Sequence, residues 1–477
     1  MARLRLRAGA PALSWESIIG LEVHVQLKTR TKMFCRCATG FGEPPNTLTC
    51  PICLGHPGAL PVANRAAVEW AVKLGLALGC SVAPRSVFHR KHYWYPDLPK
   101  GYQISQYDEP LCLAGRFVVP GEGGDLEIGI VRAHLEEDAA KTVHLEGASG
   151  RIVGATRSLV DFNRGGTPLV EIVTEPDLRS SEDARRFLQL LRQTVVELGI
   201  SDAEMEKGTL RCDANVSVRQ VGEEGFRTRW ELKNMNSFNF IGRGIEAAVR
   251  EQVDLHETGG EVVQQTYDYH PETDTLTPHR TKEEAEDYRY LPEPDLVPVE
   301  PGRELIVSLE AELPELPGAR VRRIERTVGF ETAWELVTTD RDGEFDKLAD
   351  AGVEPRVAAN VVRNEAAGIT VEEPAELAKV IAARDQLPRD VYLEAVSASG
   401  GEGFSADLYL AQTAIADSAE LEPVVDRVLE ANPDQVAAYR GGKQGLLGFF
   451  VGQVMRETNG KANAKLVSEL VREKLEA

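Results

Sequence analysis

Cys35-x-Cys37 and Cys50-x-x-Cys53, separated by twelve residues, place two close thiol pairs on either side of a short loop. Four thiolates close a tetrahedral coordination sphere, so the spacing predicts a structural zinc held by Cys35, Cys37, Cys50 and Cys53. The pairs follow Gly20-Leu-Glu-Val-His-Val-Gln-Leu-Lys28, in which Leu21, Val23, Val25 and Leu27 alternate with Glu22, His24, Gln26 and Lys28. A period of two predicts a strand that carries Glu22 and His24 on one face. Glu171 lies in the apolar stretch Thr167-Pro-Leu-Val-Glu-Ile-Val-Thr174. A carboxylate buried in a strand needs a cation, a proton or a cluster of donors. It is either one half of a structural ion pair with an arginine or a metal ligand.

His134-Leu-Glu-Glu-Asp138 puts three acids in a row. Charge runs are ordinarily solvated turns. In a strand, however, Glu136 shares a face with His134 while Glu137 shares one with Leu135, so only one of the two can enter a given cleft. The candidate ligands for a hard divalent ion are therefore Glu22, His24, Glu171 and one of Glu136 or Glu137. A few carboxylates, with phosphate oxygens and water, suit magnesium and a nucleoside triphosphate substrate. His89-Arg-Lys-His-Tyr-Trp-Tyr95 mixes cations and aromatics, as single-stranded RNA sites do and as rigid half-buried loops also do. Gly441-Gly-Lys-Gln-Gly445 lacks both the Walker spacing and the following Ser or Thr. Neither a nucleophile elbow nor a dinucleotide fingerprint occurs in strand-to-helix context.

Several elements must hold these residues. A helix is expected over 64–79, with Asn64 as cap and Gly79 just past its end, and another over 182–198, with Ser180 or Ser181 as cap and Gly199 as stop. In 210–219, Leu210, Cys212, Ala214, Val216 and Val218 oppose Arg211, Asp213, Asn215, Ser217 and Arg219, and 229–233 alternates in the same way. Either a half-solvated antiparallel sheet or a sheet lining a polar cleft gives this pattern. After the proline-rich stretch 291–298 the chain reads as consecutive helices, with a glycine-rich hinge at 399–404. The expected organisation is an arm over 1–16, a domain over 17–300 containing the zinc knuckle, a helical domain over 301–400 and a helical tail over 401–477.

The 75 acidic residues exceed the 54 basic ones, for a net charge of −21, and only 15 of the basic residues are lysines. That balance suits a halophile whose acidic surface stays soluble in concentrated salt. At such ionic strength charge repels a polyanion only at close range, so a nucleic-acid partner stays open. Seven cysteines, four of them at metal spacing, fit a reducing cytoplasm. The basic start lacks the apolar core of a signal peptide, and no apolar run is long enough to span a bilayer.

The motifs together resemble one family. They are Gly20-Leu-Glu-Val-His-Val-Gln-Leu, Met33-Phe-Cys-Arg-Cys, Lys91-His-Tyr-Trp-Tyr-Pro-Asp, Tyr102-Gln-Ile-Ser-Gln and His134-Leu-Glu-Glu-Asp. Asn163-Arg-Gly-Gly-Thr-Pro-Leu, Glu204-Met-Glu-Lys-Gly-Thr-Leu-Arg-Cys-Asp-Ala-Asn and Glu231-Leu-Lys-Asn-Met-Asn-Ser-Phe complete the set, with Gly448-Phe-Phe-Val-Gly-Gln-Val-Met455 near the end. The chain is similar over 16–477 to the B-subunit (GatB) family of the aspartyl/glutamyl-tRNA amidotransferases.

That resemblance implies an α+β fold: a glutamine-synthetase-like antiparallel-sheet cradle, a helical domain and a mobile all-α tail that binds tRNA. It implies a glutamine-hydrolysing ligase activity, in which ATP phosphorylates the side-chain carboxylate of Asp-tRNA(Asn) or Glu-tRNA(Gln). Ammonia from a partner amidase (GatA), tied on by a small third protein (GatC) to give a heterotrimer, then displaces phosphate. The implied magnesium ligands are Glu22, His24, Glu137 and Glu171, with Glu136 in reserve, and Lys91 resembles a residue near the ammonia outlet. Arg211, Asp213, Lys233 and Arg280 are the candidates for contacting the nucleotide. Pro278-His-Arg280 and Leu291 depart from the family pattern, but Arg280 and Lys282 are kept. If the composition marks a halophilic archaeon, Asp-tRNA(Asn) is the favoured substrate. The alternatives are a non-catalytic, zinc-braced tRNA-binding scaffold of the same assembly and a free-standing ligase of small amino acids.

Overall fold

The computed structural model describes residues 14–146, 154–278, 288–412, 418–458 and 462–476. The arm expected over 1–16 falls mostly outside them; Trp15 and Glu16 already belong to the first strand. The chain divides into two compact units, Met1–Arg320 and Val321–Ala477.

The strands of the first unit are β1 (Trp15–Gln26), β2 (Ser81–Val82), β3 (Phe88–His92), β4 (Tyr102–Gln106), β5 (Cys112–Val119), β6 (Leu126–Glu137) and β7 (Lys141–Leu145). They continue with β8 (Arg157–Asp161), β9 (Pro168–Thr174), β10 (Leu210–Gln220), β11 (Trp230–Lys233), β12 (Gln265–His270), β13 (Thr275–Pro278) and β14 (Leu291–Pro292). Nine of them form one sheet in the order β13-β12-β11-β10-β1-β9-β6-β5-β2, beside a small sheet β14-β3-β4 and the ribbon β7-β8. The large sheet is mixed rather than antiparallel throughout, because β11 and β12 run parallel. The cause is the helix α3 (Phe238–Glu257), which joins the two strands and carries the chain back to the same end of the sheet.

The helices preceding α3 begin and end where their caps dictate. In α1 (Arg65–Ala77) the Asn64 side chain accepts from the amides of Ala66 and Ala67. In α2 (Ser181–Glu197) Ser180 accepts from Asp183, and Gly199 takes φ +71° just beyond the end. Helices α1, α2 and α3 pack against the sheet. Between them and the sheet lie Val23, Val25, Ala214, Val216, Ile172, Ala133 and Leu135, fully buried with Phe187, Leu191, Ile241 and Ile245 of the helices. Burying side chains of this size is worth about 1.5–3 kcal/mol each, so the apolar set of the central strands goes to the helices and the polar set is left on the other face.

The first unit ends at Arg320 instead of at the proline-rich stretch. Helix α4 (Arg303–Ala311) packs on α1, where Lys73 meets Glu312 at 3.4 Å, so it stays with the sheet. The second unit is all helical. Within it Leu421, Val425, Phe450, Val454, Val467 and Val471 build a core drawn only from residues 421–475. Among the described residues no helix is long and apolar enough to cross a membrane.

Candidate functional site

In an antiparallel ladder, residues directly opposite one another point to the same face. The register sets His24 of β1 against Glu171 of β9 on one side and Arg211 of β10 on the other, and Glu171 against His134 of β6. One straight row, Arg211-His24-Glu171-His134, therefore crosses four strands on the face away from the helices. Two residues along β1, Glu22 stands opposite Asp213, and two along β6 stands Glu136.

Around His24 Nε2 lie Glu171 at 3.4 Å, Glu136 at 3.5 Å and Glu22 at 3.9 Å. Two overlapping sets of ligand atoms result, Glu22/His24/Glu171 and His134/Glu136/Glu171, each within 4.8 Å. Burial disfavours a charged imidazole at His24, but the hydrogen bond to Glu171 and the carboxylates of Glu136 and Glu22 outweigh it and raise its pKa to about 9. Burial pushes Glu136 up to about 7. Burial would also raise Glu171, yet His134, His24 and the Arg132 guanidinium, whose Nη2 is 3.1 Å from Oε1, hold it below the usual carboxylate range. His134, wholly enclosed, is lowered to about 4 by burial and is neutral near pH 7. A protonated His24 thus offsets part of the charge of the carboxylates around it.

Glu137 does not join this cluster. The alternation that brings Glu136 to the polar face turns Glu137 away, where its carboxylate pairs with Lys100 and accepts from the Ile104 amide at 2.9 Å. It lines a separate cleft of about 100 Å³ with Lys32, Cys53, Lys100 and Gly166. On geometry the third acid of the cluster is Glu136.

The phase of β6 has a local cause. Ile130 pairs with Thr174 but Arg132 pairs with Val173, so a β-bulge inserts one extra residue between them. Before it, Ile128 and Ile130 are buried; after it, Ala133 and Leu135 are. Without the bulge, Arg132, His134 and Glu136 would face the helices.

The candidate nucleotide contacts continue the same face. Lys233 Nζ lies 3.2 Å from Asp213 and 3.0 Å from Glu231, and Arg211 lies 2.9 Å from Asp138. Arg280 is outside the described residues. Lys91 on β3 sits 4.7 Å over the Tyr288 ring. Burial alone would lower it, but Glu136, the tyrosines and Glu171 raise its pKa. Arg132 and Lys100 were not legible as site residues. The signal for Arg132 was the slip in the apolar alternation of Leu126-Glu-Ile-Gly-Ile-Val-Arg-Ala-His-Leu, from even to odd positions.

The four knuckle thiols converge, their Sγ atoms within 4.8 Å of one another. A hydrogen bond from Cys35 lowers the Cys53 thiol to about 4 against the pull of burial, with Lys32 assisting. A ready thiolate in an all-sulfur set fits zinc, whereas the three carboxylates of the sheet fit a hard ion such as magnesium.

Fold and site define a mixed-sheet α/β protein that gathers carboxylates, two histidines and a charged row on one sheet face. Residues 17–307 match the family model described as the GatB/GatE catalytic domain, and 410–475 match that of the GatB domain. Three bacterial relatives, each named as the B subunit of aspartyl/glutamyl-tRNA(Asn/Gln) amidotransferase, are 46% identical. Those from Syntrophotalea carbinolica and Anaeromyxobacter dehalogenans align over 97% and 98% of this chain and 98% and 99% of their own. That from Moorella thermoacetica aligns over 97% and 100%. The chain belongs to the B-subunit (GatB) family of these amidotransferases.

Proposed function

We propose that this chain is the B subunit of a tRNA-dependent amidotransferase, a glutamine-hydrolysing ligase that converts Asp-tRNA(Asn) or Glu-tRNA(Gln) to the amide in translation. The observation that carries the reading is the convergence of Glu22, His24, Glu136 and Glu171 on one face of the sheet, beside the cationic residues Arg211, Lys233 and Lys91. A free carboxylate is a poor electrophile and becomes one when phosphorylated by ATP. A magnesium ion held by Glu22, His24, Glu136 and Glu171 would neutralise charge on the transferred phosphoryl. Arg211 and Lys233 hold their positions through Asp138, Asp213 and Glu231, which would orient two cations toward the nucleotide phosphates. Lys91 lies where it can steady the acyl phosphate or the incoming amine. No ammonia-producing centre is part of this reading of the chain, so a partner amidase (GatA) and a small third protein (GatC) complete the enzyme. The first unit acts as the cradle, and the core over 421–475 supports a tail that grips the tRNA body. Zinc at the knuckle braces the start of the cradle.

The test uses the full chain co-expressed with its two partners, supplied with ATP, magnesium and ammonium chloride in place of glutamine. Amide formation is assayed separately on Asp-tRNA(Asn) and Glu-tRNA(Gln). Product on either supports the reading and names the substrate, and Glu171→Gln should abolish it. Undiminished phosphorylation by that variant would sink the ligand set. No product from folded, zinc-loaded protein would favour the scaffold role.

The acidic composition supports work in concentrated salt in the cytoplasm, independently of lineage, since the named relatives are bacterial. A thermal melt unchanged between low and molar potassium chloride would contradict it.

A further inference from the structure

Beside the charged row stands Arg132, a cation that belongs to neither the ligand set nor the nucleotide contacts. Arg132 reaches two members of the cluster at once. Its Nη2 donates to Glu171 Oε1 at 3.1 Å, and its Nε donates to His134 Nδ1 at 3.4 Å. A guanidinium only donates, so His134 accepts through Nδ1 and its neutral ring carries its proton on Nε2. That Nε2 lies 3.8 Å from Glu171 Oε2, and His24 Nε2 lies 3.4 Å from the same oxygen. The two oxygens of Glu171 are therefore sorted: Arg132 occupies Oε1, and Oε2 is turned toward His24. The bulge in β6 is what brings Arg132 to this face, and bulges beside sites commonly re-aim a side chain.

We infer that Arg132 is a positioning residue that holds Glu171 as a one-oxygen ligand through Oε2 and fixes the tautomer of His134. His134 is thereby a supporting donor and not a ligand, which leaves Glu22, His24, Glu136 and Glu171 as the coordinating set. This rests on the metal reading given above. A planar fork is suited to the task because it spans a carboxylate and an imidazole together, and a lysine ammonium of this length reaches only one.

Mn2+ binding to the full-length chain, followed by electron paramagnetic resonance, tests the inference without recourse to activity. Arg132→Gln should weaken binding about 10–100-fold, the usual consequence of losing a partner that orients a ligand. Arg132→Lys should weaken it about tenfold, since it keeps charge but not the double contact. Arg116→Gln, which removes the exposed pair with Glu127 on neighbouring β6, should bind Mn2+ like the parent. Parental affinity in Arg132→Gln overturns the inference, and so does parental affinity in Arg132→Lys, because charge alone would then suffice. If Arg132→Gln does not fold, Arg132→Lys decides. A parent chain that binds no Mn2+ overturns the metal reading and this inference together, whereas parental binding left intact by both variants overturns this inference alone.

Discussion

The cysteine knuckle and the carboxylate row are two four-donor arrangements built on opposite logic. Cys35, Cys37, Cys50 and Cys53 lie within one short loop, and a closed set of soft donors leaves no position for substrate. Glu22, His24, Glu136 and Glu171 come from three strands, and three of the four are carboxylates, the donor type that hard cations take. The first is a local device that holds itself. The second exists only while β1, β9 and β6 keep their register, because a slip of one residue would send every member to the helices. Donor type and chain separation thus set the two arrangements apart.

The comparison breaks most sharply at Glu136. Glu136→Gln should reduce amide formation by at least about 100-fold while leaving the zinc content, measured by plasma emission, unchanged. Equal loss of zinc and activity would mean that the two sites are one cooperative unit. The reciprocal change, Cys50→Ser, should release zinc and lower the melting temperature by several degrees. It should leave Mn2+ affinity at low temperature near the parent's, since the carboxylates are positioned by the sheet.

Glu137→Ala sharpens the contrast between adjacent acids. Removing one half of its buried pair with Lys100 should destabilise the chain by about 3–5 kcal/mol in denaturant unfolding, with Mn2+ affinity kept. Loss of Mn2+ binding without loss of stability would restore Glu137 to the ligand set. The smallest effect is expected at Lys28, just beyond β1, whose exposed pair with Asp202 spans 3.0 Å. Lys28→Gln should change stability by no more than about 0.5 kcal/mol and neither metal content.

Much was legible because it is local. The spacing of four cysteines, the caps at Asn64 and Ser180, the stops at Gly79 and Gly199 and the alternation around Glu22, Glu171 and Arg211 each involve neighbours along the chain. Alternation also stated correctly that Glu136 and Glu137 could not share a cleft. It could not say which of them faces His24, since parity is only relative until a strand has a partner. The bulge between Ile130 and Arg132 and the pairing of His134 with Glu171 decided that, and with it the place of Arg132. The parallel β11–β12 pair likewise followed from where α3 packs, and the end of the first unit from α4 settling on α1. The sequence by itself determined donor chemistry, strand faces and helix ends, because bond geometry and period-two or period-3.6 burial act within a few residues. Only the tertiary structure decided which faces meet, because register and packing are set by contacts between segments that the chain order leaves far apart.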